Sequence, residues 1–322
     1  MNDVTVMNPS SQGPVKGIFG RKPKKKRGLF WGENVAAFLM ILPAVISFTV
    51  FILLPMCFAL VISLCDFNAV RFTFEFIGFE NYAELLNPNS LYGETFWMCV
   101  SNTLWYLIEV PLTIALGLLL AVLVTSECMK HSQLFRVLLY VPAVCSAVAS
   151  SIIWREIFYN SVYENQKGFI NLILGLDVYW LRDRAFLLTA IIFKNSISSM
   201  GRSMILYYAA LCNISPEYYE AANLDGANSW QKFWYITFPM LSPTTFYQLI
   251  MRISTALQSY ADSTLFAAKA AGAQTIVYFV WDYGINQHNY SIASAAALLL
   301  GVTIMFVTIF QFRRSNKWVV QL

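Results

Sequence analysis

The sequence predicts an all-α membrane protein of six transmembrane helices, and three observations carry that prediction. Of its 322 residues, 57% are hydrophobic and only 12% charged, about half the charged share of a soluble domain. Six apolar stretches reach the roughly 20 residues that a span needs. The basic residues also sort by side once those stretches are placed. This composition excludes a disordered chain, a collagen-like chain and a disulfide scaffold.

The elements follow in order. Residues 1–34 form a polar tail with the basic run Arg21, Lys22, Lys24, Lys25, Lys26 and Arg27. Beside a span, such a run marks the cytoplasmic side rather than a nucleic-acid patch, so no nucleic-acid partner is expected. Residues 35–322 form one membrane domain. Its first span, 35–64, is interrupted by Pro43 and Pro55 and is too long for a signal-peptide core. Further spans are expected at 97–125, 134–159, 186–211, 244–267 and 290–312, the fifth being the most polar. Six spans put both termini on one side. The inner segments then hold 13 Lys and Arg, including Lys130, Arg136, Lys232, Arg313, Arg314 and Lys317; the outer segments hold 5, namely Arg71, Lys167, Arg182, Arg184 and Lys269. That asymmetry makes both termini cytoplasmic. The first outer loop, about 66–96, is acidic and aromatic. The six cysteines, Cys128 among them, form no C-x-x-C pair, and both His are isolated. No metal, haem or redox motif is expected.

The longest inner segment, 212–243, carries the most informative motif. Ser215-Pro216 reads as a helix start, an N-cap followed by a ring already held at helical φ. Glu217 and Glu220 favour the first turn through the helix dipole, and Gly226 is placed to end the helix. A second helical segment runs from Ser229 to about Ile236, before Pro239. Two short helices joined by a Gly turn, with Tyr219, Ala222 and Leu224 on a solvated loop, form a surface suited to being gripped.

This stretch resembles the EAA loop of permease subunits in binding-protein-dependent ABC importers. Glu220-Ala221-Ala222, Gly226, Ile236 and Pro239 match its pattern in register, and Asp225, Ala227 and Phe233 match the fuller form common in permeases for sugars and sugar phosphates. Pro43, Pro55, the basic tail and Phe76-Ile77-Gly78-Phe79-Glu80-Asn81-Tyr82 are similar to the maltose- and glycerol-phosphate-type branch. The resemblance implies a bacterial cytoplasmic-membrane location and a coupling helix docked on an ATPase subunit. It also implies a second homologous permease, two ATPase subunits and an extracytoplasmic sugar-binding protein as partners, with lipid around the spans. ATP and Mg would be used by the partner ATPase and no cofactor bound here, in keeping with the lack of a G-x-x-x-x-G-K-[ST] phosphate loop. The chain itself is expected not to be an enzyme.

Polar groups inside spans are costly and usually face a bundle interior or a wet path. Three stripes fall at helical spacing: Gln248, Arg252, Thr255, Ser259 and Asp262 or Ser263 on span five; Asn195, Ser199 and Arg202 on span four; Asn102, Tyr106, Glu109 and Thr113 on span two. The first two read as a path for a carbohydrate; the third reads more readily as helix packing, since polar side chains also join membrane helices. Arg202 and Arg252 need counter-charges. Glu109 and Asp262 could supply them, or an acidic substrate such as a uronate oligosaccharide or a sugar phosphate could. Two other readings compete: an ion-coupled secondary sugar transporter, which would call for inverted repeats and coupling carboxylates, and a receptor or scaffold without transport.

Overall fold

In the computed structural model, residues 29–68, 71, 73–125, 132–158, 168–175, 178–266, 272–315 and 319 are described. The basic run 21–27, Cys128, Lys130, Lys167, Lys269 and Lys317 lie outside them. The chain divides into two compact units, Met1–Cys57 and Phe58–Leu322.

The first unit contains α1 (Leu29–Phe48), a π-helical segment Thr49–Leu53 and the start of α2 (Leu54–Ser63). Phe38, Met40 and Phe51 are exposed, as suits a helix whose solvent is lipid. Pro43 is tolerated inside α1. The π segment precedes Pro55, and the Leu54 N–H reaches back five residues to the Thr49 carbonyl. Pro55 has no N–H to continue a regular ladder, so the wider turn absorbs the defect.

The second unit departs from an all-α reading at once. The first outer loop folds into an antiparallel hairpin, β1 (Cys65–Asn68) and β2 (Thr73–Phe76), in the register Cys65↔Phe76 and Asn68↔Thr73. The strands are only four residues each, too short for periodicity to announce them. The buried Asn81 amide secures the hairpin base by donating to the carbonyls of Ser63 at 2.9 Å and Cys65 at 3.1 Å. Asn81 sits in α3 (Glu80–Leu86).

α4 (Gly93–Tyr106) and α5 (Glu109–Thr125) follow. Their junction tightens to three-residue turns: Leu107, Ile108 and Val110 donate to the carbonyls of Leu104, Trp105 and Leu107. Pro111, lacking an N–H, could not have bonded the Leu107 carbonyl itself. The expected straight third span is a bent pair. α6 (Ser132–Val144) and α7 (Ala147–Ile153) meet at 97°, just beyond Pro142, and α7 runs into a π segment Trp154–Phe158. The short α8 (Phe169–Leu174) leads to α9 (Arg184–Cys212), 29 residues without a break.

The segment between α9 and the fifth expected span holds α10 (Pro216–Leu224), α11 (Ser229–Lys232), a π segment Phe233–Thr237 and α12 (Phe238–Met240). The fifth span is broken rather than continuous. α13 (Ser242–Leu257) stops, Gln258 and Ser259 donate to carbonyls three residues back, and α14 (Ala261–Leu265) starts anew. Then come α15 (Ile276–Trp281), a π segment Asp282–Asn286 and α16 (Tyr290–Ser315).

Among the described residues, three helices are long and apolar enough to cross a membrane: Ala37–Ser63, Gly93–Thr125 and Tyr290–Ser315. The bent pair Ser132–Val144 and Ala147–Glu156 makes a fourth if it is one span. α9 has the length but carries Arg184, Lys194 and Arg202, and α13 is short and polar. Small residues close the second unit. A Cβ on Gly117 would collide with the Ser203 side chain, and one on Gly201 would collide with the Leu139 carbonyl. α9 is thereby pressed between α5 and α6 at backbone distance, the usual way membrane helices gain packing without a hydrophobic drive.

Candidate functional site

α9 is the organising element, because its polar side chains reach three neighbouring segments. Lys194 and Asp262 are buried, at 4% and 6% exposure. They form an ion pair of 2.6 Å. Asp262 also accepts from Ser151 Oγ of α7 at 3.2 Å and from the Asn195 amide at 2.8 Å. One carboxylate therefore joins α9 to the segment after the bend at residue 145 and to the segment after the break at residue 258. A buried charge is tolerable only when paired and hydrogen-bonded in this way. Asp262, one of the two carboxylates considered as counter-charges for Arg202 and Arg252, is paired with Lys194 instead. Lys194 was the missed partner, and its position inside a span was the available signal.

The break in span five also divides the expected stripe. Gln248, Arg252 and Thr255 lie on α13, Ser259 in the turn, and Asp262 on α14. Gln248 is 2% exposed and accepts a hydrogen bond from Ser203 of α9, while its own Nε2 is buried without a partner among the described residues. Arg252 is half-buried and donates to the Ser199 carbonyl at 3.1 Å. Thr255 is exposed and donates to the Arg252 carbonyl at 3.0 Å. The Ser259 carbonyl, left over by the break, accepts from Thr275 Oγ1 at 2.6 Å. Arg202 is exposed and lies in the field of Arg252, as does Glu109, whose carboxylate is also near Asn195. Glu109 Oε2 is buried with no hydrogen-bond partner among the described residues. Arg252 thus has both Glu109 and Arg202 in its field, and Glu109 has Lys194 and Asp262 in its own as well.

The third stripe is structural at one end. Arg184 bonds Asn102 Oδ1 at 2.7 Å and also Ser101. The Asn102 amide donates to the carbonyls of Gly272 at 2.9 Å and Gln274 at 2.7 Å. Thr103 Oγ1 accepts from the Ile276 N–H at 3.0 Å. A non-helical stretch of backbone at 272–275 is thus satisfied from α4, the condition for burying such a segment.

The 212–243 segment is built differently. Ser215 occupies the position before α10 but makes no side-chain cap. The capping is at Asn228, which forms a reciprocal box with Gln231 at 2.8 Å each way. Gly226 has φ +75°, and the Ala227 N–H closes the turn onto the Ala222 carbonyl at 2.9 Å. Tyr219 OH with Thr237 Oγ1 at 2.9 Å, and Lys232 Nζ with Asn223 Oδ1 at 2.8 Å, hold the two helical parts together. Glu220, Ala221 and Asp225 are exposed, and Ala222, Ala227, Ile236 and Pro239 half-buried. Phe233 packs in a cluster with Trp230, Trp234 and Phe238. Leu224 at 90%, Tyr235 at 80% and Trp230 at 69% exposure stand outward. Large apolar side chains are thus left exposed on an element whose two parts are tied together.

Residues 18–320 match the family described as "Binding-protein-dependent transport system inner membrane component". The chain is 30% identical over 311 residues to the probable ABC transporter permease protein YesP of Bacillus subtilis (strain 168), covering 93% of this chain and 96% of that one. It is 29% identical over 298 residues to the arabinooligosaccharides transport system permease protein AraP of Halalkalibacterium halodurans, covering 91% and 92%. It is also 29% identical over 282 residues to the lactose transport system permease protein LacF of Rhizobium radiobacter, covering 87% and 92%. A chain from the crystal structure of a bacterial ABC transporter involved in the import of the acidic polysaccharide alginate shares the fold, with a TM-score of 0.71 at 22% identity, over 90% of this chain and 99% of that one.

Proposed function

The chain belongs to the family of inner-membrane components of binding-protein-dependent transport systems, and from that premise we propose that it is the carbohydrate-conducting permease subunit of an ATP-driven importer. The observation that carries this reading is the exposed, doubly tied helix pair around Gly226, with Glu220 and Asp225 outward. It is the shape of a lever that another protein grips. Relatives named for arabinooligosaccharide and lactose transport support a sugar substrate. In this reading the chain crosses the membrane six times with both termini cytoplasmic. It pairs with a second permease, two ATPase subunits that use ATP and Mg, and an extracytoplasmic binding protein. Binding of ATP moves the lever and opens the path outward; hydrolysis returns it.

The path is assigned to Asn195, Ser199, Arg202, Gln248, Arg252, Thr255 and Ser259. Arg202 and Arg252, two guanidiniums in one another's field, favour an oligosaccharide carrying carboxylate or phosphate groups. Asp262 is removed from the path and serves the ion pair. The test is uptake into vesicles that contain the complete complex. Matched acidic and neutral oligosaccharides are supplied on the binding protein, with ATP inside. Uptake should require ATP and survive a protonophore; the reverse pattern would restore the ion-coupled reading. Arg252→Gln should reduce uptake of the acidic sugar selectively, and an equal loss for both sugars would reject the charge preference.

A further inference from the structure

Two grooves meet where α5 runs beside α11. The larger, of ≈ 440 Å³, is lined by Ala115, Leu118, Leu119, Val122, Trp230 and Phe233 together with Ser229. The smaller, of ≈ 280 Å³, shares Val122, Ser229 and Phe233 with it and adds Thr125, Tyr219, Lys232 and Thr237. The joined space is apolar at one end and bears hydroxyls and an ammonium at the other. Ala115, Leu118, Val122 and Thr125 recur at helical spacing on α5, so the grooves follow one face of that helix. From residue 115 to residue 125, a helix rises about 15 Å. That is about half of a hydrocarbon core roughly 30 Å thick.

α5 lies within the apolar helix Gly93–Thr125. The wide groove is lined almost wholly by apolar side chains of this helix and by Trp230 and Phe233, and the narrow one leads from it to Thr125, Thr237 and Lys232. Trp230 lines the wide groove as an exposed ring and Trp234 packs edge-on against it, the residue type that populates membrane boundaries. Lys232 gives one of its three donors to Asn223, leaving two for another acceptor.

We propose that this joined groove holds one anionic phospholipid, with an acyl chain along Ala115, Leu119 and Val122 and its phosphate on Lys232. The site lies outside the substrate path. It connects a membrane helix to the helix pair that an ATPase would grip, so its occupancy would stiffen that connection.

The complete complex, extracted in mild detergent with phosphatidylglycerol and phosphatidylcholine at equal amounts, is analysed by native mass spectrometry. Wild type should retain phosphatidylglycerol preferentially. Ala115→Trp, at an exposed position that fills the wide groove, should remove the retained lipid. Lys232→Gln should keep a lipid but lower the preference about fivefold, the factor that corresponds to the roughly 1 kcal/mol a single basic residue contributes near an anionic surface. A photoreactive side chain at position 119 should attach to lipid. Equal retention of both lipids, retention unchanged in Ala115→Trp, an unchanged preference in Lys232→Gln, or attachment of position 119 to another subunit would each overturn the proposal.

Discussion

Lys194 and Asp262 show what one residue can decide in a low-dielectric interior. Their pair is buried and backed by Ser151 and Asn195. Removing one partner leaves an uncompensated charge, whereas removing both leaves none. Asp262→Asn or Lys194→Met is therefore expected to destabilise the purified complex by roughly 3–5 kcal/mol, and Lys194→Met combined with Asp262→Leu to recover most of that loss. Thermal unfolding followed by size-exclusion chromatography measures this; a double variant no better than the singles would show that the carboxylate has a role besides pairing. Gly226 acts through its backbone instead. Its φ is +75° and nothing lies within 4 Å of the place a Cβ would take, so only backbone strain opposes substitution. Gly226→Ala should weaken association with the ATPase subunits modestly, reflecting about 1–2 kcal/mol of left-handed strain. Gly226→Pro should abolish it, because a proline ring cannot adopt positive φ. Pull-down of the ATPase subunits on the tagged permease measures both.

At the scale of elements, a proline accompanies four departures from straight helices, whereas the π segments Trp154–Phe158 and Asp282–Asn286 have none. A π segment stands just before Pro55 and another just before Pro239, and in each the closing N–H reaches back five residues, to Thr49 and to Phe233. Pro111 follows the tightened turns between α4 and α5, and Pro142 lies in the last turn of α6 before the 97° bend. Hydropathy reads through all of these, since proline does not interrupt an apolar run. The break at residues 258–260 has no proline. It rests on Gln258 bonding Ser254 and on Thr275 capturing the Ser259 carbonyl from a distant part of the chain. Helix packing gives a separate expectation. Gly201→Val and Gly117→Val should sharply reduce the yield of folded protein, because added atoms would strike the Leu139 carbonyl and Ser203. Gly301→Val, where nothing lies within 4 Å, should be tolerated. Fluorescence-detected chromatography of tagged variants distinguishes the three.

For the whole molecule, the proposed six spans would place both termini on one side, and the basic asymmetry of the sequence would make that side cytoplasmic. A reporter fused after Leu322 should be active only as a cytoplasmic fusion, and a second fused before Met1 should agree with it. Opposite sides would mean an odd number of crossings and would reject the six-span reading. Membrane class, the family and the approximate placement of α9 and α16 were legible in the residues alone. They depend on composition and local spacing, which need no knowledge of neighbours. The partner of Asp262, the division of the Gln248-to-Asp262 stripe, the hairpin at Cys65–Phe76 and the clamp of Asn102 on 272–274 were not. Most of these join residues far apart in the chain, and a helical wheel assumes one straight axis. Where apolar matrix and charge must lie could be read from residue order, because transfer into lipid is a property of each residue. Which buried charges meet could be read only in three dimensions, because pairing is a property of the helix axes that bring them together.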